Sequence, residues 1–185
     1  MNKVKLYVFL ATGFEECEAL ATVDICRRVG IDTTLVSILP GKTVESAHGV
    51  KIKADMLMSD SDFSDADIIM LPGGMPGASN LLADERLCDL LRRHHSSGKM
   101  LAAICAAPFI FGKLGLLNNV RATCYPGFES ELHGAVISKK LVETDGQFIT
   151  AKGPGAAFEL GFAIVQHFLG DAVCDTCRKG MICNE

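Results

Sequence analysis

The chain has 185 residues, with no basic run, no stretch of 18 consecutive apolar residues, and no linker, repeat or low-complexity tract. Each absence excludes a class of function. Eighteen Lys and Arg against 22 Asp and Glu leave a net charge of −4, which argues against a nucleic-acid partner. The densest positive cluster, Arg92–His95, falls in the last turn of a predicted helix, where cations complement the helix dipole. No segment is long and apolar enough for a membrane helix. The amino-terminal MNKVKLYVFLATG has too short an apolar run for a secretory signal, so a cytoplasmic location is the expectation. Without linkers or repeats, residues 1–185 read as a single domain, long enough for a real core.

Familiar ligand motifs are also missing. Pro40–Thr43, PGKT, resembles the end of a phosphate-binding loop, but that pattern needs glycine at the place of Val36. In GPGAAFELG, Phe158 takes the third glycine position of a dinucleotide fingerprint. Cys174 and Cys177 have CxxC spacing with Cys183 nearby, yet no second CxxC or His-x-x-x-His completes a four-ligand metal site. Those thiols read instead as a mobile or surface-helix pair. The eight cysteines, at 17, 26, 88, 105, 124, 174, 177 and 183, are scattered through apolar patterns and read as reduced thiols. Neither a metal nor a cofactor is expected.

What is present is an alternation of strand and helix patterns. Residues 4–10, 33–39, 66–74, 100–105 and 121–125 read as strands, and 15–29, 79–95, 106–117 and 156–170 as helices. Residues 42–56 suggest a hairpin or edge excursion, and 136–151 a hairpin turned at Asp145-Gly146. This order predicts a mainly parallel sheet with helices on both faces and chemistry at the carboxyl ends of the strands.

Three segments end there. AAICAAP, Ala102–Pro108, sets one cysteine among alanines between a strand and a helix start. Cys105 reads equally as a buried small hydrophobe or as a nucleophile at a sharp turn, its thiolate favoured by the following helix. A shift of about 3 units below the usual ~8.5 would ionise nearly all of it, for about 4 kcal/mol. GFEECE places Glu15, Glu16 and Glu18 after the first strand, where acids also gather simply to start a helix. A carboxyl beside the thiol would rise in pKa, stay protonated, and shuttle protons. Pro72-Gly73-Gly74 is either a plain glycine turn or a set of unhindered backbone N–H groups for an oxyanion.

Taken together, GFEECE, LPGGMPGA, AAICAAP and KGPGAAFE identify the chain as resembling the ThiJ/PfpI superfamily, in its protein deglycase branch, from about residue 3 to about residue 170. The resemblance implies a three-layer α/β/α flavodoxin-like sandwich and a homodimer. It implies Cys105 as the nucleophile, prone to sulfinic oxidation, Glu18 as its hydrogen-bonded acid, and backbone N–H groups from Gly73, Gly74 and Ala106. Glu15 and Arg28 correspond to residues at the dimer-side edge of the pocket, and Pro154 to one that reaches the partner's pocket. Three departures stand out. Ala106 follows the nucleophile where protease-like relatives have histidine, which removes a peptidase's base. Tyr125 stands where many members have a second histidine, and His48 where close relatives can have arginine.

The leading expectation is a cofactor-independent glyoxalase or deglycase acting on methylglyoxal-type dicarbonyls or their protein adducts. The competing one is a peroxide sensor or redox-regulated chaperone that uses oxidation of Cys105. Thiazole synthesis for thiamine follows some members by family name alone, without a phosphate site here to support it.

Overall fold

Strands that are apolar at every position, such as Ile68–Leu71, suit a sheet covered on both faces. A computed structural model, which describes residues 3–183, shows that arrangement. In chain order the elements are β1 (Lys5–Leu10), α1 (Glu16–Arg28), β2 (Asp32–Ser37), β3 (Thr43–Glu45), β4 (Lys51–Lys53), β5 (Met56–Leu57) and β6 (Ile68–Leu71). Next come α2 (Gly77–Ala83), α3 (Glu85–Ser96), β7 (Met100–Ile104), α4 (Pro108–Lys113), β8 (Arg121–Ala122) and β9 (Val136–Ile137). The chain ends with β10 (Val142–Asp145), β11 (Phe148–Ala151), α5 (Ala157–Leu169) and α6 (Asp171–Gly180). The main sheet has seven strands in the order β10-β11-β7-β6-β1-β2-β5, all parallel except the edge pair β10–β11. The mainly parallel α/β/α sandwich anticipated from the sequence is the fold observed.

Period-two alternation divides the core. Leu6, Val8 and Leu10 of β1 join Ile68, Met70, Ala102 and Ile104 under α1, α5 and α6. Tyr7 and Phe9 join Ile69, Leu71, Leu101 and Ala103 under α2, α3 and α4. Strand order reverses between β1 and β6, so the loops leaving these two strands open a crevice at the carboxyl edge. The turn after β7 borders the same crevice.

Several elements differ from the sequence expectation. The helix expected over 79–95 is two helices, because Asp84 leaves helical geometry and its carboxylate accepts the Leu87 N–H at 3.1 Å. The strand expected over 121–125 shortens to two residues. It pairs with β9 rather than joining the main sheet, so the expected hairpin contracts to β10–β11. The CxxC lies on a helix, α6, with both Cys174 and Cys177 buried in the core. Among the described residues no helix is long and apolar enough to cross a membrane.

Candidate active site

At the end of β7, Ile104 faces α1, so an extended chain would send the next side chain to the opposite face. Cys105 instead takes φ +64°, a left-handed conformation uncommon for a residue with a Cβ. That twist returns its side chain to the α1 side, where it packs half-buried beside Ile104. Backbone hydrogen bonds hold the strained residue from both sides. Its N–H donates to Ala151 (2.9 Å), and its carbonyl accepts from Tyr125 (2.8 Å). The small residues Ala106 and Ala107 are buried where larger side chains would obstruct the turn.

Glu18 lies in the first turn of α1, fully buried. Its Oε2 accepts the Gly73 N–H at 2.7 Å, while Oε1 has no nitrogen or oxygen partner. Burial is the main cause that pushes Glu18 up to about 7, against the lowering effect of the Gly73 amide and of the neighbouring Cys105 thiol. Burial and then the Glu18 charge push Cys105 up to about 12, opposed by the amides of Ala106 and Gly74. The two groups are therefore coupled. A proton on Glu18 removes the negative charge facing sulfur and leaves an O–H that can donate to a thiolate.

Two expectations about this turn need correction. The helix after Cys105 does not start at the thiol. It begins at Pro108 and has six residues, so sulfur is polarised by the individual amides of Ala106 and Gly74 rather than by a helix end. The Gly73 N–H is not free for an oxyanion, because it is committed to Glu18. Gly74 and Ala106 remain as the donors aimed at the reacting sulfur.

The two glycines are required for space. A Cβ on Gly73 would stand 2.6 Å from Cys105 Cβ, 2.9 Å from Glu18 Oε2 and 3.0 Å from the Ile104 carbonyl. Gly74, at φ +82°, lies under the β1 loop, where a Cβ would meet the Glu15 nitrogen at 2.5 Å. Gly73→Ala is expected to lower stability by about 1–3 kcal/mol and to separate the thiol from its carboxyl. A lowered urea midpoint together with faster alkylation of Cys105 at about pH 8–9, where the Glu18 charge otherwise holds the thiol up, is the expected result. An unchanged midpoint would show that the turn can yield.

The remaining candidates divide. Glu15, buried, caps α1 by accepting the Glu18 N–H at 2.7 Å. His48 is exposed on the β3–β4 connection, and its Nδ1 lies 3.0 Å from Glu16 Oε1. The ligand atoms of Glu15, Glu16 and His48 lie within 4.8 Å of one another, a grouping that spacing alone did not suggest. The β-bridge between Phe14 and Ser46 brings these segments together. Tyr125 is half-exposed, with its ring against Gly153, and Pro154 is exposed in the next turn. Arg28 is not brought to this site within the chain. It sits ten residues beyond Glu18, about 15 Å along the helix, paired with Asp24 at 2.7 Å. There it borders a cleft of about 570 Å³ that is also lined by Cys177 and Met181 of the α6 region.

The sequence pattern of the DJ-1/PfpI family matches residues 4–167. Protein DJ-1 homolog B of Arabidopsis thaliana is 39% identical over 90% of this chain, which spans only 38% of that relative's length. The glutathione-independent glyoxalase DJR-1.2 of Caenorhabditis elegans is 32% identical over 89% of this chain and 88% of its own. Among solved structures, oxidized Toxoplasma gondii DJ-1 superposes with a TM-score of 0.93 at 30% identity, covering 97% of this chain and 98% of that one. With pattern, sequence and fold in agreement along most of its length, the chain belongs to the DJ-1/PfpI family.

Proposed function

We propose that the protein is a cysteine-dependent, cofactor-independent glyoxalase or deglycase acting on methylglyoxal-type dicarbonyls or their protein adducts. The observation that carries this reading is the juxtaposition of a strained, half-buried thiol with a buried carboxyl whose pKa is raised to about 7. A group that titrates near neutrality can both take and return a proton. The Caenorhabditis elegans relative, named as a glyoxalase, supports the same chemistry.

Cys105 sulfur attacks the aldehyde carbon of methylglyoxal, and the carbonyl oxygen takes up a proton to give a hemithioacetal. Glu18 removes the proton on that carbon and returns a proton to the neighbouring carbon, passing through an enediol. The product is a lactoyl thioester. Water cleaves the C–S bond, releasing lactate and the free thiol, with no net oxidation or reduction. The Gly74 and Ala106 N–H groups stabilise charge next to sulfur. A homodimer belongs to the same proposal, with exposed Pro154 and Arg28 acting toward the partner's site rather than their own.

The direct test is lactate formed from methylglyoxal by purified protein without glutathione. Many lactates per thiol are expected. A single equivalent, or none, would remove the enzymatic reading. One observation favours a second reading: the same two amides could hold the oxygens of a Cys105 sulfinate, and the Toxoplasma gondii relative was solved as an oxidized form. In that case peroxide would consume Cys105 stoichiometrically and no turnover would follow.

A further inference from the structure

We infer that Glu15 is a positioning residue, whose backbone and carboxylate together fix the Glu18 carboxyl against the Cys105 thiol. The inference rests on the reading of Cys105 and Glu18 as the reacting pair. Three hydrogen bonds close a ring around Gly73. The Glu15 N–H donates to the Gly73 carbonyl (2.9 Å). The Gly73 N–H donates to Glu18 Oε2 (2.7 Å), and the Glu18 N–H donates to Glu15 Oε2 (2.7 Å). Glu15 thus ties the start of α1 to the β6 loop through its backbone, and to Glu18 through its side chain. Moving either end moves the carboxyl relative to sulfur.

The residue type adds a second argument. Helix N-caps favour Ser, Thr, Asp and Asn, whose short side chains reach the amide directly. A glutamate must fold back and lose more rotamer freedom for the same bond. What it adds is a buried negative charge, 7% exposed, in the turn that carries Glu18. His48 makes its hydrogen bond to Glu16 rather than to Glu15. The titratable groups acting on Glu18 are Glu15 from the cap and Cys105 from the β7 turn, while the β6 loop contributes only the uncharged Gly73 amide. Cys17, next to Glu18 in the chain, feels Glu15 first and then Glu16 and Glu18. The Glu15 charge opposes ionisation of Glu18 and so keeps a proton at the site.

The test follows alkylation of Cys105 by iodoacetamide across pH, read by mass on the Cys105 peptide, which requires no turnover. Glu15→Ser keeps a cap and drops the charge, Glu15→Gln keeps the length, and Glu15→Asp keeps the charge. In the Ser and Gln variants the inflection due to Glu18 is expected to move down by about 0.5–1 pH unit, and in Asp to return toward wild type. An unmoved inflection in folded Ser and Gln variants would reduce Glu15 to an ordinary helix cap and overturn the inference. A moved inflection in a protein that makes no lactate would leave the positioning intact and remove the glyoxalase reading. Lactate formation with an unmoved inflection would do the reverse.

Discussion

Serine in place of Cys105 is expected to reduce lactate formation to background, a loss on the order of 10³-fold or more. The exchange replaces sulfur by oxygen and leaves the backbone at φ +64° with its two flanking hydrogen bonds, so the fold should persist and the thermal midpoint should stay within a few degrees. The chemistry should not persist. A serine hydroxyl is a far weaker acid than a thiol and needs a dedicated base within reach. None of the nearby groups supplies one. Ala106 carries no imidazole, Tyr125 offers a phenol in place of an imidazole, and His48 stands against Glu16. Glu18, raised to about 7, is already committed to moving the proton between the two carbons and cannot at the same time be the dedicated base of a hydroxyl. The measurement is a progress curve with methylglyoxal in excess, beside the same curve for Cys17→Ser. Cys17 is the exposed thiol among the described cysteines and the natural competitor. A Cys105→Ser protein that keeps more than a tenth of the rate would place the reaction on another thiol.

Much of this site is legible in the sequence because its parts depend on residue types. Alanines around one cysteine signal a turn without room for bulk, and the PGG after a buried strand signals close backbone approach. Both are what the distances at Gly73 and Gly74 require. The alternation of strand and helix patterns also fixes the carboxyl edge where these segments meet. What could not be read is what depends on φ and on which amide donates to which oxygen. The left-handed turn at Cys105 sends its side chain to the α1 face, and no periodicity announces such a reversal. The commitment of the Gly73 N–H to Glu18 depends on packing between segments 55 residues apart.

The fold differences have equally local causes. Asp84 breaks the expected helix at 79–95 because a short acidic side chain can cap the segment that follows, and the apolar spacing on either side conceals the break. At α6, Cys174 and Cys177 are three residues apart and share one helix face, yet CxxC draws attention to metal or redox chemistry before packing. Arg28 lies in the last turn of α1, and its distance from Glu18 within the chain follows from the length of that helix rather than from any residue type.

Glutamine in place of Glu18 should change two measurements in opposite directions. Glutamine has nearly the same shape, and its amide oxygen can still accept the Gly73 N–H, so the β6 loop keeps its tie. It cannot carry a proton between two carbons, so lactate formation should fall by about 10²–10⁴-fold. Alkylation of Cys105 should meanwhile become faster at about pH 8–9. In the wild type, burial and the Glu18 charge both hold the thiol up, and the substitution removes the second of these. Stability gives a third readout with a definite sign. Glu18 is raised from 4.5 to about 7 on folding, so the folded state holds its proton more tightly than the unfolded chain. That contribution is fully present below pH 4.5 and is lost as pH rises toward 7, by about 3 kcal/mol in all. The Gln variant should lack this slope, so that wild type loses stability relative to it across the same window in urea titrations. Slower alkylation in the variant would mean that Glu18 activates the thiol as an anion. Parallel stability curves would mean that its buried carboxyl is ionised throughout. Either result would reverse the protonation order on which the proposed proton transfer depends.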